Sequence, residues 1–312
     1  MQRPDLRAPG DSLKERDLPG LFEAQAEQHP AAIAVCSQEQ QVTYQEMNER
    51  ANQVAHYLRC QGVRPGVRVG LCLVNSVEMA VGLLGILKAG GTCLPLDATS
   101  SSERLQYLLE DAQPRVLLTM RHVRDHLPEG GIPMLFLDAD WEMIALQSRT
   151  NFRSPVIAAN VACILYSSGS TRRPEGVMVS HYAITQRLWW VQSETPLTPA
   201  DSVLPLASFW ELFGSWLAGA RVVLVDPARQ FDSTYLIQFM ARQRITVAHF
   251  VPSLLQRVVA TPGLETCRDL RWIFCRGEVP VHLPQQLLSR LRVRFYQFYG
   301  PAEAAMRAAY WI

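Results

Sequence analysis

The sequence predicts an α/β protein built on mostly parallel sheets. Short apolar runs such as Thr92–Leu96 and Val161–Tyr166 have the length and composition of buried strands. They alternate along the chain with segments of helical periodicity, of which Thr43–Arg59 is the clearest. Strands that are apolar throughout are typical of parallel sheets covered by helices on both faces. A chain of 312 residues is also long enough for more than one structural unit.

Capping residues set the predicted helix boundaries. Thr43 with Glu46, and Ser100 with Glu103, have capping-box spacing. Ser76 precedes a further helix that Gly90 ends. The predicted helices are 18–28, 43–59, 77–87, 104–112, 181–192, 210–217, 234–242, 253–260 and 284–291, and the predicted strands are 31–36, 67–74, 92–96, 115–119, 161–166, 203–206, 221–225, 246–250, 271–275 and 293–298.

The overall composition excludes several classes of protein. The chain is 48% apolar and 19% charged, which indicates a globular protein. Residues 1–17 are polar and Pro-rich, so we expect them to form a disordered linker. Basic and acidic residues number 30 and 29, so we expect no nucleic-acid partner. No apolar run is long enough to span a membrane. The seven cysteines lack zinc-site spacing, so we expect reduced core residues and a cytoplasmic protein.

Two loops follow predicted strands and carry polar or glycine residues. In parallel sheets, ligands bind where strands end at their carboxyl edge. Hydroxyl groups and backbone N–H groups can donate to phosphate oxygens, although the Walker A spacing is absent and an ordinary polar loop is the alternative. The first loop contains Ser167, Ser168, Gly169, Ser170 and Thr171, and the second reads Tyr299, Gly300, Pro301, Ala302 and Glu303.

Several stretches, taken in order, resemble the adenylation domain of nonribosomal peptide synthetases, in the adenylate-forming superfamily. The resemblance runs from about Leu18 to the end of the chain. It implies two doubly wound, mostly parallel sheets packed together, with approximate lobes over 18–195 and 196–312. The stretches that carry it are 42–48, 87–97, 103–105, 162–179, 209–213 and 299–303.

The resemblance also implies an activity. Such domains join an amino acid to ATP to give aminoacyl-AMP and pyrophosphate, and then transfer the aminoacyl group to a carrier-protein thiol. The implied cofactors are ATP and Mg²⁺, and the implied partners are a carboxylic-acid substrate, a carrier protein and other synthetase modules.

Roles for individual residues follow from the same resemblance. The run from Ser167 to Thr171 would hold the β- and γ-phosphates of ATP. Tyr299 and Gly300 would lie against adenine, with Gly277 lining that pocket. Glu303 would be the catalytic carboxylate that helps hold Mg²⁺. The alternatives are a core aromatic for Tyr299 and a solvated carboxylate for Glu303.

The implied substrate pocket is of the type found in serine-activating members. Trp210, His249 and Phe274 match residues typical of that subgroup. The complete set of implied pocket positions is Leu206, Ala207, Trp210, His249, Phe274, Arg276, Phe298, Met306 and Arg307.

Some matched positions depart from the family pattern. Arg172 replaces a glycine, Glu175 replaces a lysine and Ala302 replaces a threonine, and these changes oppose ATP binding. The alternative is that Arg172 and Arg173 offset the negative charge of Glu175. Leu206 replaces the aspartate that holds the substrate ammonium group, so α-amino acids should bind poorly. Arg276, together with Arg307, would favour an anionic ligand if both point inward, and would reach solvent otherwise.

The chain stops soon after the last motif. We therefore expect the β-barrel portion and the small C-terminal subdomain of the family to be lacking, and the isolated chain to be impaired. Two alternatives stay open. One is an acyl-adenylate ligase for a non-amino carboxylic acid, and the other is a non-catalytic nucleotide-binding or interaction remnant.

Overall fold

A computed structural model describes residues 17–152, 156–166, 173–206, 210–298 and 308–309. The chain divides into two compact units, each with its own sheet. The first unit comprises Met1–Pro30 and Gln45–Thr195, and the second comprises Ala31–Tyr44 and Pro196–Ile312.

Helices and strands alternate through both units. The helices are α1 (Leu18–Gln28), α2 (Tyr44–Cys60), α3 (Val77–Ala89), α4 (Ser102–Ala112), α5 (Trp141–Ala145), α6 (His181–Glu194), α7 (Trp210–Leu217), α8 (Ser233–Arg242), α9 (Pro252–Ala260) and α10 (His282–Arg290). The strands are β1 (Ile33–Cys36), β2 (Gln41–Thr43), β3 (Arg68–Cys72), β4 (Thr92–Leu96), β5 (Val116–Thr119), β6 (Met134–Phe136), β7 (Val161–Tyr166), β8 (Gly176–Ser180), β9 (Ser202–Pro205), β10 (Arg221–Val223), β11 (Val247–Phe250), β12 (Trp272–Arg276), β13 (Arg294–Phe298) and β14 (Ala308–Ala309).

The first unit contains a six-stranded sheet in the order β6-β5-β3-β4-β7-β8. All neighbouring strands are parallel except β7 and β8, which form an antiparallel pair at one edge. The central strands are buried along nearly their whole length, as expected for a parallel sheet covered on both faces.

The second unit contains an eight-stranded sheet in the order β14-β13-β12-β11-β9-β10-β1-β2. The six strands from β13 to β1 in that order run parallel, and β14 and β2 are antiparallel edges. The predicted α/β class with two mostly parallel sheets is therefore confirmed.

Helix caps account for several boundaries. The Ser76 hydroxyl accepts a hydrogen bond from the Met79 N–H at 3.1 Å, and Gly90 ends α3 with a left-handed φ of 89°. The predicted cap at Ser100 is wrong by one residue. Ser101 caps α4 by accepting from the Arg104 N–H, and Ser100 belongs to the preceding turn, in which its N–H donates to the Asp97 carbonyl.

The elements missing from the prediction are short or lie at sheet edges. They include the edge strands β2, β6 and β8 and the five-residue helix α5. In β8, only Val179 is buried, so the strand lacks the continuous burial of the central strands, although Val177, Met178 and Val179 are all apolar. Antiparallel edge pairing needs backbone hydrogen bonds more than buried side chains, which leaves a weak signal in sequence.

Apolar side chains form a core in each unit, and α3 is the most deeply buried helix of the first. One charged residue of that helix, Lys88, is only 1% exposed. Its ammonium group contacts the Glu23 carboxylate and lies 3.4 Å from the Asn151 amide oxygen. Burial without these partners would be strongly unfavourable for a charged group.

All cysteines are free thiols, and all but Cys60 are buried. Within the described part of the chain, no helix is long and apolar enough to cross a lipid bilayer.

Candidate active site

The carboxyl ends of four parallel strands meet at one edge of the second unit's sheet. These strands are β9, β11, β12 and β13, which are neighbours in the sheet. Because they run in the same direction, residues near their ends are brought together. Five residues of the predicted pocket lie on or directly after these strands, namely Leu206, His249, Phe274, Arg276 and Phe298.

Aromatic rings from three of these strands form a stack. The His249 and Phe274 ring centroids are 4.7 Å apart with planes 19° apart. Phe274 also stacks on Phe298 at 5.2 Å and on Tyr296 at 5.3 Å. His249 lies opposite Phe274 in the strand register, and Phe274 lies opposite Tyr296, so the rings share one face of the sheet. The structure therefore places His249, Phe274 and Phe298 side by side, and their role as a substrate pocket stays a prediction.

A carboxylate that the prediction did not include lies beside this stack. The Glu211 Oε1 atom, on α7, is 3.5 Å from His249 Nδ1, and both side chains are 11% exposed. The sequence signal for Glu211 is a lone charge in the apolar helix Trp210–Leu217, because a charge on a buried helix face needs a polar partner.

Arg276 is a cation at the same edge. Burial lowers the pKa of its guanidinium, and the nearby Glu211 carboxylate partly opposes that change. Arg276 is therefore partly buried near a carboxylate, not extended into solvent. The charges of Arg276 and Glu211 offset each other, which reduces the net charge at the strand ends.

Leu206 is partly buried and packs against the apolar core of the second unit. Its N–H donates to the His249 carbonyl at 3.1 Å and so continues the pairing of β9 with β11. At this position the chain supplies an apolar side chain and no carboxylate.

Gly277 follows β12 in a backbone conformation that favours glycine. Its φ is 117°, and a Cβ atom there would lie 3.3 Å from the Pro252 side chain. Its N–H donates to the Phe298 carbonyl at 3.0 Å, and its own carbonyl accepts from the Gln297 amide at 2.8 Å. A fixed peptide without a side chain fits the implied role of Gly277 as a wall of a nucleotide-base pocket.

The polar loop of the first unit is described up to its two ends. β7 ends at Tyr166, which lies opposite Gly176, the first residue of β8. Arg173 and Glu175, just before β8, are both exposed. The loop residues Ser167, Ser168, Gly169, Ser170 and Thr171 lie outside the described residues.

Other predicted site residues also lie outside the described part. Only the backbone of Trp210 is described, so its place in the pocket stays a prediction. No group of three or more His, Cys, Asp or Glu side chains within the described residues could hold a metal ion. The residues for which the structure provides no position are Ala207, Tyr299, Gly300, Glu303, Met306 and Arg307.

Comparison with known proteins identifies relatives along nearly the whole chain. Residues 22–311 match the AMP-binding enzyme family. Tyrocidine synthase 3 of Brevibacillus parabrevis is 37% identical over 301 residues, which is 93% of this chain. Gramicidin S synthase 2 of Brevibacillus brevis is 35% identical over 294 residues, which is 91% of this chain.

Solved structures show the same fold. The nonribosomal peptide synthetase FmoA3 with AMPPNP bound superposes with a TM-score of 0.86 at 29% identity, over 95% of this chain and 32% of that one. The chain spans 4% of the tyrocidine synthase and 6% of the gramicidin S synthase. The Klebsiella oxytoca NpsA N-terminal subdomain shares the fold at 20% identity, with a TM-score of 0.84 over 78% of its own length. The chain therefore belongs to the AMP-binding enzyme family and corresponds to the N-terminal portion of a nonribosomal peptide synthetase adenylation domain.

Proposed function

We propose that this chain carries the nucleotide-binding and acid-binding portion of an ATP-dependent ligase that forms an acyl-adenylate. The observation that carries the proposal is the family match over residues 22–311, which spans both predicted ligand loops. An AMPPNP-bound structure of the relative FmoA3 supports the use of ATP. In this reaction a carboxylate oxygen attacks the α-phosphorus of ATP, and the bond to pyrophosphate breaks.

The proposed roles follow the positions matched to the family. The loop from Ser167 to Thr171 binds phosphate oxygens, Tyr299 with Gly277 holds the adenine, and Glu303 is the proposed Mg²⁺ ligand. Bound magnesium would neutralise phosphate charge as the substrate carboxylate approaches. Of these residues, Gly277 is the one whose conformation supports the role directly.

The proposed substrate is a carboxylic acid related to serine, because the pocket positions match those of serine-activating members of the family. The stack of His249 on Phe274 supports this, as does the binding of α-methyl-L-serine-AMP by the relative FmoA3. Leu206 opposes an α-amino acid, because a buried ammonium group without a carboxylate partner is unfavourable by several kcal/mol. We therefore expect poor activation of serine itself.

A second candidate is a ligase for a non-amino carboxylic acid. It is favoured by the apolar packing of Leu206 and by the partly buried guanidinium of Arg276. A third candidate is a nucleotide-binding module without catalysis, which could still bind a carrier protein or neighbouring synthetase modules.

The deciding experiment is ATP–pyrophosphate exchange by the purified chain with matched acids. Serine is compared with glyceric acid, in which a hydroxyl replaces the ammonium group, and with hydroxy-dicarboxylic acids. We expect no serine-dependent exchange. Exchange with glyceric acid or a dicarboxylic acid would support the second candidate, and robust exchange with serine would contradict the interpretation of Leu206.

Two further measurements separate the remaining candidates. Leu206→Asp should raise serine-dependent exchange or serine binding, whereas the matched Leu206→Asn variant adds polarity without charge and should not. If all acids are inactive, a rise in melting temperature with MgATP indicates a nucleotide-binding module. No such rise would contradict the proposed nucleotide site.

A further inference from the structure

Helix α4 contacts both ends of the loop that joins β7 to β8. The two strands close this loop at the pair Tyr166 and Gly176. Helix α4 contacts the incoming stem of the loop at Tyr166 and the outgoing stem at Pro174. These contacts involve only described residues. They are separate from the loop residues matched to the family's phosphate site.

The outgoing stem is held by Tyr107. Its hydroxyl donates a hydrogen bond to the Pro174 carbonyl at 3.1 Å. Pro174 lies two residues before β8, so this bond fixes the chain where it leaves the loop.

The incoming stem is held by Asp111. The Tyr166 hydroxyl donates to the Asp111 carboxylate. Burial raises the pKa of Tyr166 first, and the hydrogen bond to Asp111 raises it further, so the phenol stays a donor over the physiological range. A Cβ atom at Gly176 would lie 3.1 Å from the Tyr166 ring, so the ring covers the start of β8 closely.

Tyr107 and Asp111 are four residues apart and therefore project from the same side of α4. The same helix is anchored in the core by Leu105, Leu108 and Leu109, which are buried. At its carboxyl end the Ala112 carbonyl accepts from the Arg68 guanidinium at 2.6 Å. The helix is thus a fixed support for both contacts.

We propose that Tyr107 and Asp111 are positioning residues that hold Pro174 and Tyr166, on either side of the proposed phosphate loop, and thereby strengthen the binding of ATP. This inference rests on the proposed function. A loop with fixed ends has fewer conformations to lose when it binds, so its affinity for phosphate is higher. Release of either end should weaken nucleotide binding more than it weakens the fold.

The test measures MgATP binding by isothermal calorimetry and melting temperature without nucleotide, on the full 312-residue chain. Tyr107→Phe and Tyr166→Phe each remove one hydroxyl and should raise the Kd for MgATP by about two- to tenfold, the range of one hydrogen bond. Asp111→Leu should have a similar effect. Asp111→Asn keeps an acceptor oxygen for Tyr166 and should restore most of the affinity.

Thr119→Val is the matched control. The Thr119 hydroxyl also donates to a backbone carbonyl in the first unit, that of Cys72 at 2.9 Å, but it belongs to β5. The Thr119→Val variant should lower the melting temperature at least as much as Tyr107→Phe does, while leaving the Kd for MgATP unchanged. Amide hydrogen exchange at Gly176 and Val177 should become faster in Tyr107→Phe and Asp111→Leu but not in Thr119→Val.

The possible results separate the two proposals. If the unchanged chain does not bind MgATP, the proposed nucleotide site and this inference both fail. If it binds, but the tyrosine and aspartate variants bind equally well, the inference alone is wrong. Equal weakening by Thr119→Val would show a general effect of stability and would also overturn it.

Discussion

The buried His181 should make the stability of the first unit depend on pH. His181 is the first residue of α6 and is only 1% exposed. Its Nδ1 atom accepts a hydrogen bond from the Leu18 N–H at 3.4 Å, which requires an unprotonated Nδ1. Burial lowers its pKa from 6.5 to about 4. Protonation therefore favours the unfolded chain.

The size and direction of the effect follow from this pKa. The folded state binds fewer protons than the unfolded state between pH 6.5 and about 4, so stability falls as the pH falls through this window. A difference of about 2.5 pKa units corresponds to about 3 kcal/mol. Above pH 6.5 His181 is unprotonated in both the folded and the unfolded state, so the stability of the unit is not reduced. The loss is a large fraction of the ~5–15 kcal/mol typical of a folded domain.

The assay is urea unfolding followed by circular dichroism at several pH values between 7.5 and 4.5. His181→Asn is the informative variant, because the asparagine amide oxygen can replace Nδ1 as an acceptor but does not titrate here. The wild type should lose up to about 3 kcal/mol more than the variant as the pH falls. His29→Asn, at an exposed position, is the control for loss of an imidazole. Parallel pH profiles for wild type and His181→Asn would refute the reasoning.

Three further changes test other features. Glu23→Gln should lower the free energy of unfolding by about 3 kcal/mol, because it leaves the buried Lys88 ammonium without its carboxylate, and Lys88→Met in the same background should recover part of that loss in urea titrations. Gly277→Ala should cost about 1–3 kcal/mol of stability from its left-handed backbone and the contact with Pro252, and it should weaken MgATP binding measured by calorimetry. Phe274→Leu should lower stability by about 1 kcal/mol from lost ring stacking, whereas an unchanged urea midpoint would contradict the stacking described.

The sequence contained enough information to predict the central strands and most helices, because each depends on local signals. Thr92–Leu96 and Val161–Tyr166 are continuous apolar runs, and both are strands with those bounds. Ser76 begins α3 through a local hydrogen bond, and Gly90 ends it through its left-handed backbone conformation. The sequence predicts both positions. Such signals need no knowledge of distant contacts.

Features that depend on distant contacts were not predictable in the same way. β8 pairs with the edge of β7, and its apolar run of three residues is too short to identify a strand without that partner. Glu211 belongs to the site because α7 brings it to His249, on a strand far along the chain. The contact of Tyr107 with Pro174 likewise joins residues separated by 67 positions, a pairing with no local pattern.

The aromatic stack has a consequence for how selectivity could change. His249, Phe274 and Tyr296 come from three successive parallel strands, and their ring spacings of 4.7 Å and 5.3 Å are close to the distance between strands. Each ring is therefore located by its own strand backbone and not by its neighbours alone. Exchange of one ring for a smaller side chain would open a gap of one strand width while the other rings keep their places. The wall of the proposed pocket is thus divisible into separate strips, one for each strand, and a single substitution would change one strip at a time.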